Sequence, residues 1–281
     1  MTRADGTTVS TRHSAGEVPS PSAAAVLPRR DRVLIASCIL LVCALAWAYL
    51  FHLNRQMTSL AAAETSMMQM GMRMDAPWLA ADVLLTFTMW AVMMIGMMSA
   101  TAAPVLLLFA SAHARRAERG APAAVLMFGL GYIAVWVGFS GLATLAQWGL
   151  HRAALLSSTM SAASPRLAGV LLVAAGAYQL TPVKRACLKH CQTPLGFLMS
   201  HWREGAGGAF HMGWRHGMYC VGCCWALMIV LFAVGVMNLA WVAVLTAFMM
   251  AEKLGEGGAR VARIGGVLLI GFGILMFTRG S

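Results

Sequence analysis

The run ADVLLTFTMWAVMMIGMMSATAAPVLLLFA, Ala81–Ala110, decides the fold, because its thirty residues carry a single charged side chain, Asp82, at their start. A helix needs about 20 apolar residues to cross the roughly 30 Å hydrocarbon core of a bilayer. Within the run, Met89, Met93 and Met97 fall at i, i+4 and i+8, with Met94 and Met98 beside them, which gathers thioethers on one side of a helix. Methionine at such positions is ordinarily flexible core filler. It is also a neutral soft ligand that suits Cu(I), which makes Met93 and Met97 secondary metal candidates. Pro104 lacks an N–H and is expected to kink the helix, freeing a carbonyl inside a bundle. Asp82 is favoured by the helix dipole, yet an ionisable group at a membrane edge is also a candidate ligand or gate.

Comparable apolar runs flank this one at Val33–Phe51, Ala123–Leu150, Arg166–Leu180, Met218–Val236, Leu239–Leu254 and Val261–Phe277. The expected fold is therefore all-α, a polytopic membrane helix bundle of about seven spans. Hydrophobic residues make up 59% of the chain and charged ones 11%, against roughly 25% charged in soluble domains. Residues 1–32, rich in Ser, Ala, Pro and Arg without apolar periodicity, read as a disordered basic tail, and residues 33–278 as the membrane domain. Arg29, Arg30 and Arg32 followed by Ala46-Trp47-Ala48 imitate a signal peptide, but the apolar stretch is long for one and an uncleaved helix is the better reading. Gly129, Gly131, Gly138 and Gly141, and further on Gly169 and Gly176, are small-residue positions that allow helices to approach closely.

The net charge of +11 comes with no basic stripe or recognition module, so nucleic acid is not an expected partner. With the N-terminus inside, sixteen Lys and Arg fall on inside segments and five outside, as the positive-inside rule requires of seven helices with a cytoplasmic N-terminus. The expected location is the cell membrane, a bacterial inner membrane.

A second stretch carries the chemistry: TPVKRACLKHCQTPLGFLMSHWREGAGGAFHMGWRHGMYCVGCCWAL, Thr181–Leu227, holds five of the seven cysteines and four of the eight histidines. On a helix, Cys187, His190 and Cys191 lie at i, i+3 and i+4, and His216, Cys220, Cys223 and Cys224 at i, i+4, i+7 and i+8, two ligand faces that could close on one ion. Thiolate and imidazole suit copper or zinc, copper being favoured over zinc. The four cysteines paired at i, i+4, namely Cys187, Cys191, Cys220 and Cys224, are the expected direct ligands. His190, His216 and Cys223 are the alternates, and His211 and Glu252 are lesser candidates. The bland alternative is that cysteine is simply a small buried hydrophobe, the ordinary reading of Cys38 and Cys43 in the first span. An odd cysteine count in a chain this long argues against a disulfide framework. On the expected topology the segment 183–224 is cytoplasmic. The methionine-rich stretch Glu64–Asp75 (Met67, Met68, Met70, Met72, Met74) is an expected outward loop, where thioethers bind Cu(I) without oxidising as thiols do.

The strings TPVKRACLKHCQTPLGF (Thr181–Phe197), GWRHGMYCVGCCWALM (Gly213–Met228) and WAVMMIGMMSATAAPVLLLF (Trp90–Phe109) resemble the family of predicted metal-binding integral membrane proteins, otherwise labelled a domain of unknown function, over about Val33–Phe277. The resemblance implies membrane insertion and metal binding, and no particular reaction. No Walker A loop, dinucleotide fingerprint, HExxH or GxSxG is present. The expected function is binding of a soft or borderline transition metal in transport, delivery or homeostasis, with the lipid bilayer, the ion and a soluble metal donor or acceptor protein as partners. Two alternatives stay open: a membrane oxidoreductase using a metal or haem at His211 and His216, and a non-catalytic assembly partner whose cysteines only pack.

Overall fold

The computed structural model describes residues 28–69, 79–115, 121–156, 162–255 and 257–279. Among the described residues there are nine α-helices and no strand beyond an isolated bridge between Leu156 and Ala162. In order they are α1 (Arg29–Gln69), α2 (Ala80–Arg115), α3 (Ala121–Arg152), α4 (Pro165–Gln179), α5 (Pro182–Gln192), α6 (Pro194–His201), α7 (Gly205–Val234), α8 (Leu239–Leu254) and α9 (Gly258–Arg279).

Five of them, α1, α2, α3, α7 and α9, are long and apolar enough to cross a membrane, and α4 with α5, bent by 63° at their break, would pass as one broken span. The expected seven spans are thus five or six. The shortfall is one of length: 15 residues in α4 and 16 in α8 come to about 22 and 24 Å at 1.5 Å per residue, short of the bilayer core.

Other boundaries also move. α1 continues past Phe51 to Gln69, so the expected loop is helical at Met67 and Met68, while Met70, Met72 and Met74 lie outside the described residues. Most of the expected tail lies outside them too, although α1 already begins at Arg29. α7 starts at Gly205, not near Met218, so the part of the cytoplasmic segment that precedes the expected span is already helical and carries both His211 and His216.

Local chemistry explains the starts. Ser164 caps α4 by accepting from the Leu167 N–H, Thr181 caps α5 by accepting from the Lys184 N–H, and Asn238 caps α8 through the Trp241 N–H. Each meets one of the unpaired donors of a first turn. Pro165 and Pro182 stand at N1, where their missing N–H costs nothing. Asp82 performs a similar service before α2, its carboxylate accepting from the Leu79 N–H at 2.8 Å. α2 runs unbroken through Pro104. Pro104 leaves the Ala100 carbonyl without its usual helical partner.

Glycines set the two closest helix pairs. A Cβ on Gly169 or Gly176 of α4 would come within 2.6 Å of the Gly273 or Gly266 carbonyl of α9, and a Cβ on Gly273 or Gly266 within 2.8 or 3.0 Å of the reciprocal carbonyls. Of the glycines on α3, only Gly131 is used this way, against the Phe210 backbone, with Gly213 of α7 against Phe128. Gly129 and Gly138 meet nothing within 4 Å. Between these pairs lies the core: the α2 methionines Met93, Met94, Met97 and Met98 are fully buried, and the Trp90 indole donates to the Gln147 side chain at 2.7 Å, tying α2 to α3.

Candidate metal centre

The centre is built where α5 crosses α7 beside the end of α8. Cys220 and Cys224 share a face of α7 at i, i+4, with Cys223 beside them, and all three side chains are buried. Cys191, in the last turn of α5, brings its sulfur to 3.9 Å from that of Cys223. The Cys220 side chain is a neighbour of those of Cys191, Cys223 and Cys224. The four sulfurs therefore form one cluster drawn from two helices.

Three further helices close it. The Tyr132 hydroxyl of α3 stands 3.1 Å from the Cys220 sulfur and also donates to the Met98 carbonyl at 3.3 Å. Lys253, in the last turn of α8, places its ammonium 3.0 Å from the Cys220 sulfur, 3.9 Å from that of Cys224, 3.7 Å from the Met98 thioether and 3.4 Å from the Thr101 hydroxyl. A thioether, two thiols and a hydroxyl are thus arranged around the lysine.

The thiols are not aimed at a common point. Those of Cys223 and Cys224 both donate to the Cys220 carbonyl, at 3.1 and 2.9 Å. Among the described residues, no set of three or more His, Cys, Asp or Glu side chains is disposed as around an ion. An ion needs sulfurs about 2.3 Å away, so thiol rotation must precede capture.

The other sequence candidates are distributed as follows. Cys187 lies against Gly222, its sulfur 2.8 Å from where a Cβ there would stand, while Cys223 is the cysteine whose sulfur meets that of Cys191. His190 turns outward, its ring stacked on Tyr219 at 4.2 Å and its Nδ1 on the Ala186 carbonyl. His216 is buried one turn before Cys220, ringed by Phe128, Tyr132 and Phe197, and its Nδ1 has no hydrogen-bond partner among the described residues. It is therefore a free nitrogen donor next to the sulfurs. His211 is nine residues from Cys220, about 13 Å along α7. Asp82 is sixteen residues from Met98, about 24 Å along α2. Met93 and Met97 are buried in α2, but Met98 is the thioether that reaches the centre. Cys38 is exposed.

Glu252 is fully committed elsewhere. Its carboxylate receives the Lys184 ammonium at 2.9 and 2.8 Å and the Gln179 amide at 3.1 Å, with both charged side chains at 0% exposure. The Glu252 carbonyl accepts from Gln192 at 2.7 Å. This buried knot fastens both ends of α5 to α8, and so fixes Cys191 relative to Lys253. Lys253, Met98, Tyr132 and Thr101 are the members that sequence reasoning missed. The available signal for Lys253 was a lone cation closing an otherwise apolar helix.

A buried cluster of thiols with a thioether, inside an all-helical bundle, is a donor set whose chemistry suits soft metal ions. The copper chaperone family PpoB2 matches residues 87–276, and the chain belongs to that family. The family is one of metal handling, as the resemblance implied, though its description is a copper chaperone's and not that of a domain of unknown function. No curated protein and no solved structure matches the chain.

Proposed function

We propose that this chain is a multi-pass membrane protein that takes copper(I) as cargo at the cluster of Cys191, Cys220, Cys223 and Cys224, assisted by Met98, and passes it on for delivery or transport. The observation that carries the reading is that four cysteines of α5 and α7 are neighbours in the interior, with the Cys191 and Cys223 sulfurs 3.9 Å apart, in a member of a copper chaperone family. Thiolate and thioether select Cu(I) over the harder ions, so copper is favoured over zinc.

Membrane insertion is supported by the five long apolar helices and by α1 and α9, whose exposed Leu40, Leu41, Leu45, Val267 and Leu268 face outward where lipid would cover them. The Lys and Arg clusters of residues 1–32 and 183–215 favour the cytoplasmic side for both segments, which puts the centre near that face, in reach of a soluble donor or acceptor. The buried methionines of α2 supply a soft lining from Met89 to Met98 toward the centre.

The test is copper content of the full chain, purified in detergent under reducing conditions and exposed to Cu(I). The expected result is bound Cu(I) that is lost when Cys191, Cys220, Cys223 and Cys224 are replaced by serine together and kept when Cys38 and Cys187 are. A wild-type chain that retains no copper would refute the reading.

A further inference from the structure

A buried ammonium needs a counter-charge or a full set of acceptors, and Lys253 has an unusual set. It is 5% exposed. Its neighbour Glu252 is taken up by Lys184. Among the described residues no carboxylate pairs with Lys253; its partners are the sulfurs of Cys220, Cys224 and Met98 and the Thr101 hydroxyl. These are soft donors, poor company for an ammonium and good company for a soft monovalent metal ion. Lys253 therefore stands where the cargo would be bound.

Resting on the copper reading above, we propose that Lys253 is the resident cation of the copper-free centre, that an incoming monovalent soft ion displaces its ammonium, and that this exchange is what discriminates Cu(I) from divalent ions. The balance is simple. With Cys220 as the thiolate and the remaining sulfurs as neutral donors, one unit positive charge leaves the sulfur cluster as one enters and no proton need move, whereas Zn(II) would leave an extra unit there unless a second buried thiol also gave up its proton. Burying an unbalanced charge is strongly unfavourable.

The displaced side chain has a destination. Lys253 is in the last turn of α8, one residue before Leu254 and the extended Gly255. Its long stem can carry the ammonium out past the helix end to water, where the C-terminal carbonyls and the dipole favour a cation. As it leaves, the Cys223 and Cys224 thiols can rotate off the Cys220 carbonyl toward the ion.

The chain contains three lysines, and the other two are internal controls: Lys189 is exposed, and Lys184 is buried in its ion pair. The experiment acetylates the full chain in detergent micelles with sulfosuccinimidyl acetate and reads each lysine by mass spectrometry, without metal and with one equivalent of Cu(I), Ag(I) or Zn(II) under anaerobic conditions. Bound metal is measured on the same samples. The expected result is that Lys253 is as protected as Lys184 without metal, and that Cu(I) and Ag(I) raise its labelling toward that of Lys189 while Lys184 stays protected and Zn(II) changes nothing. Bound Cu(I) with Lys253 still protected overturns the exchange and leaves the copper reading standing. Equal exposure by Zn(II) overturns the charge discrimination. In parallel, Lys253→Met, which leaves the site without its cation and adds a thioether, is expected to bind Cu(I) more tightly than wild type against a chromogenic Cu(I) chelator. Loss of copper from this variant, with an unchanged helical circular dichroism spectrum, would mean the lysine supports the bound ion and would overturn displacement. Copper bound by the variant and not by wild type would make Lys253 a permanent plug, which overturns it as well. Absence of copper from both overturns the copper reading itself.

Discussion

Replacing Glu252 by glutamine leaves the Lys184 ammonium, at 0% exposure, with neutral partners only. In the native chain that ammonium contacts both carboxylate oxygens at 2.9 and 2.8 Å, and breaking one side of a fully buried pair costs about 3–5 kcal/mol, since the remaining charge is left without compensation. Glutamine retains one acceptor, which puts the expected loss near the lower end, about 3 kcal/mol. Lys184→Met leaves the carboxylate with Gln179 alone and should cost a similar amount. The double variant Lys184→Met with Glu252→Leu removes both charges into an apolar surrounding, and such replacements are often neutral or stabilising. Reversible unfolding in mixed micelles, followed by circular dichroism, should then place each single variant about 3 kcal/mol below wild type and the double variant within about 1 kcal/mol of it. If the double variant loses as much as the two single losses together, the pair is not coupled, and the account of how α5 is fastened to α8 is wrong.

Three other outcomes are expected. Cys220→Ser should lower the copper retained by the chain far more than Cys187→Ser, read by elemental analysis, because the Cys220 side chain is a neighbour of the other three and of Lys253. Gly176→Val sets methyl groups where the Gly266 carbonyl stands 2.6 Å from even a bare Cβ. Overpacking of that kind costs about 1–3 kcal/mol or more, so thermal unfolding should begin earlier, whereas Gly138→Ala, which meets nothing, should be near neutral. Tyr132→Phe removes the hydroxyl shared by Cys220 and the Met98 carbonyl and should cost about 1 kcal/mol in the same unfolding assay with copper stoichiometry unchanged.

What was legible in the sequence was local. Cys220 and Cys224 share a helical face whatever the rest of the chain does, and Gly169 and Gly176, seven apart, announce one side of a close helix contact. What was not legible depends on partners far away in the chain. Lys253 reaches Cys220 across 33 positions because α8 is short enough to end at the depth of the cluster, and no periodicity encodes that depth. Glu252 was read as a metal partner on its own merits, but it lies against Lys184, 68 positions earlier. The start of α7 was misplaced because Gly205–Gly217 looks too polar and too rich in glycine to hold a helix in isolation; packing of Gly213 against Phe128 of α3 supplies what propensity lacks. The choice between Cys187 and Cys223 turned on which side of α7 meets α5, a rotation about the helix axis that spacing alone does not determine.

The 63° bend between α4 and α5 has a mechanical consequence. α4 is clamped to α9 through reciprocal glycines and cannot shift without opening that seam, so any motion of the short helix beyond it must pivot near Pro182. Cys191 sits nine residues from that pivot, about 13 Å along α5. At such a radius a swing of about 10° would displace its sulfur by about 2 Å, and the bonds of Lys184 and Gln192 to Glu252, which hold both ends of α5 to α8, oppose that movement. The geometry is that of a lever pinned at both ends, so the sulfur at its tip keeps its place beside Cys223.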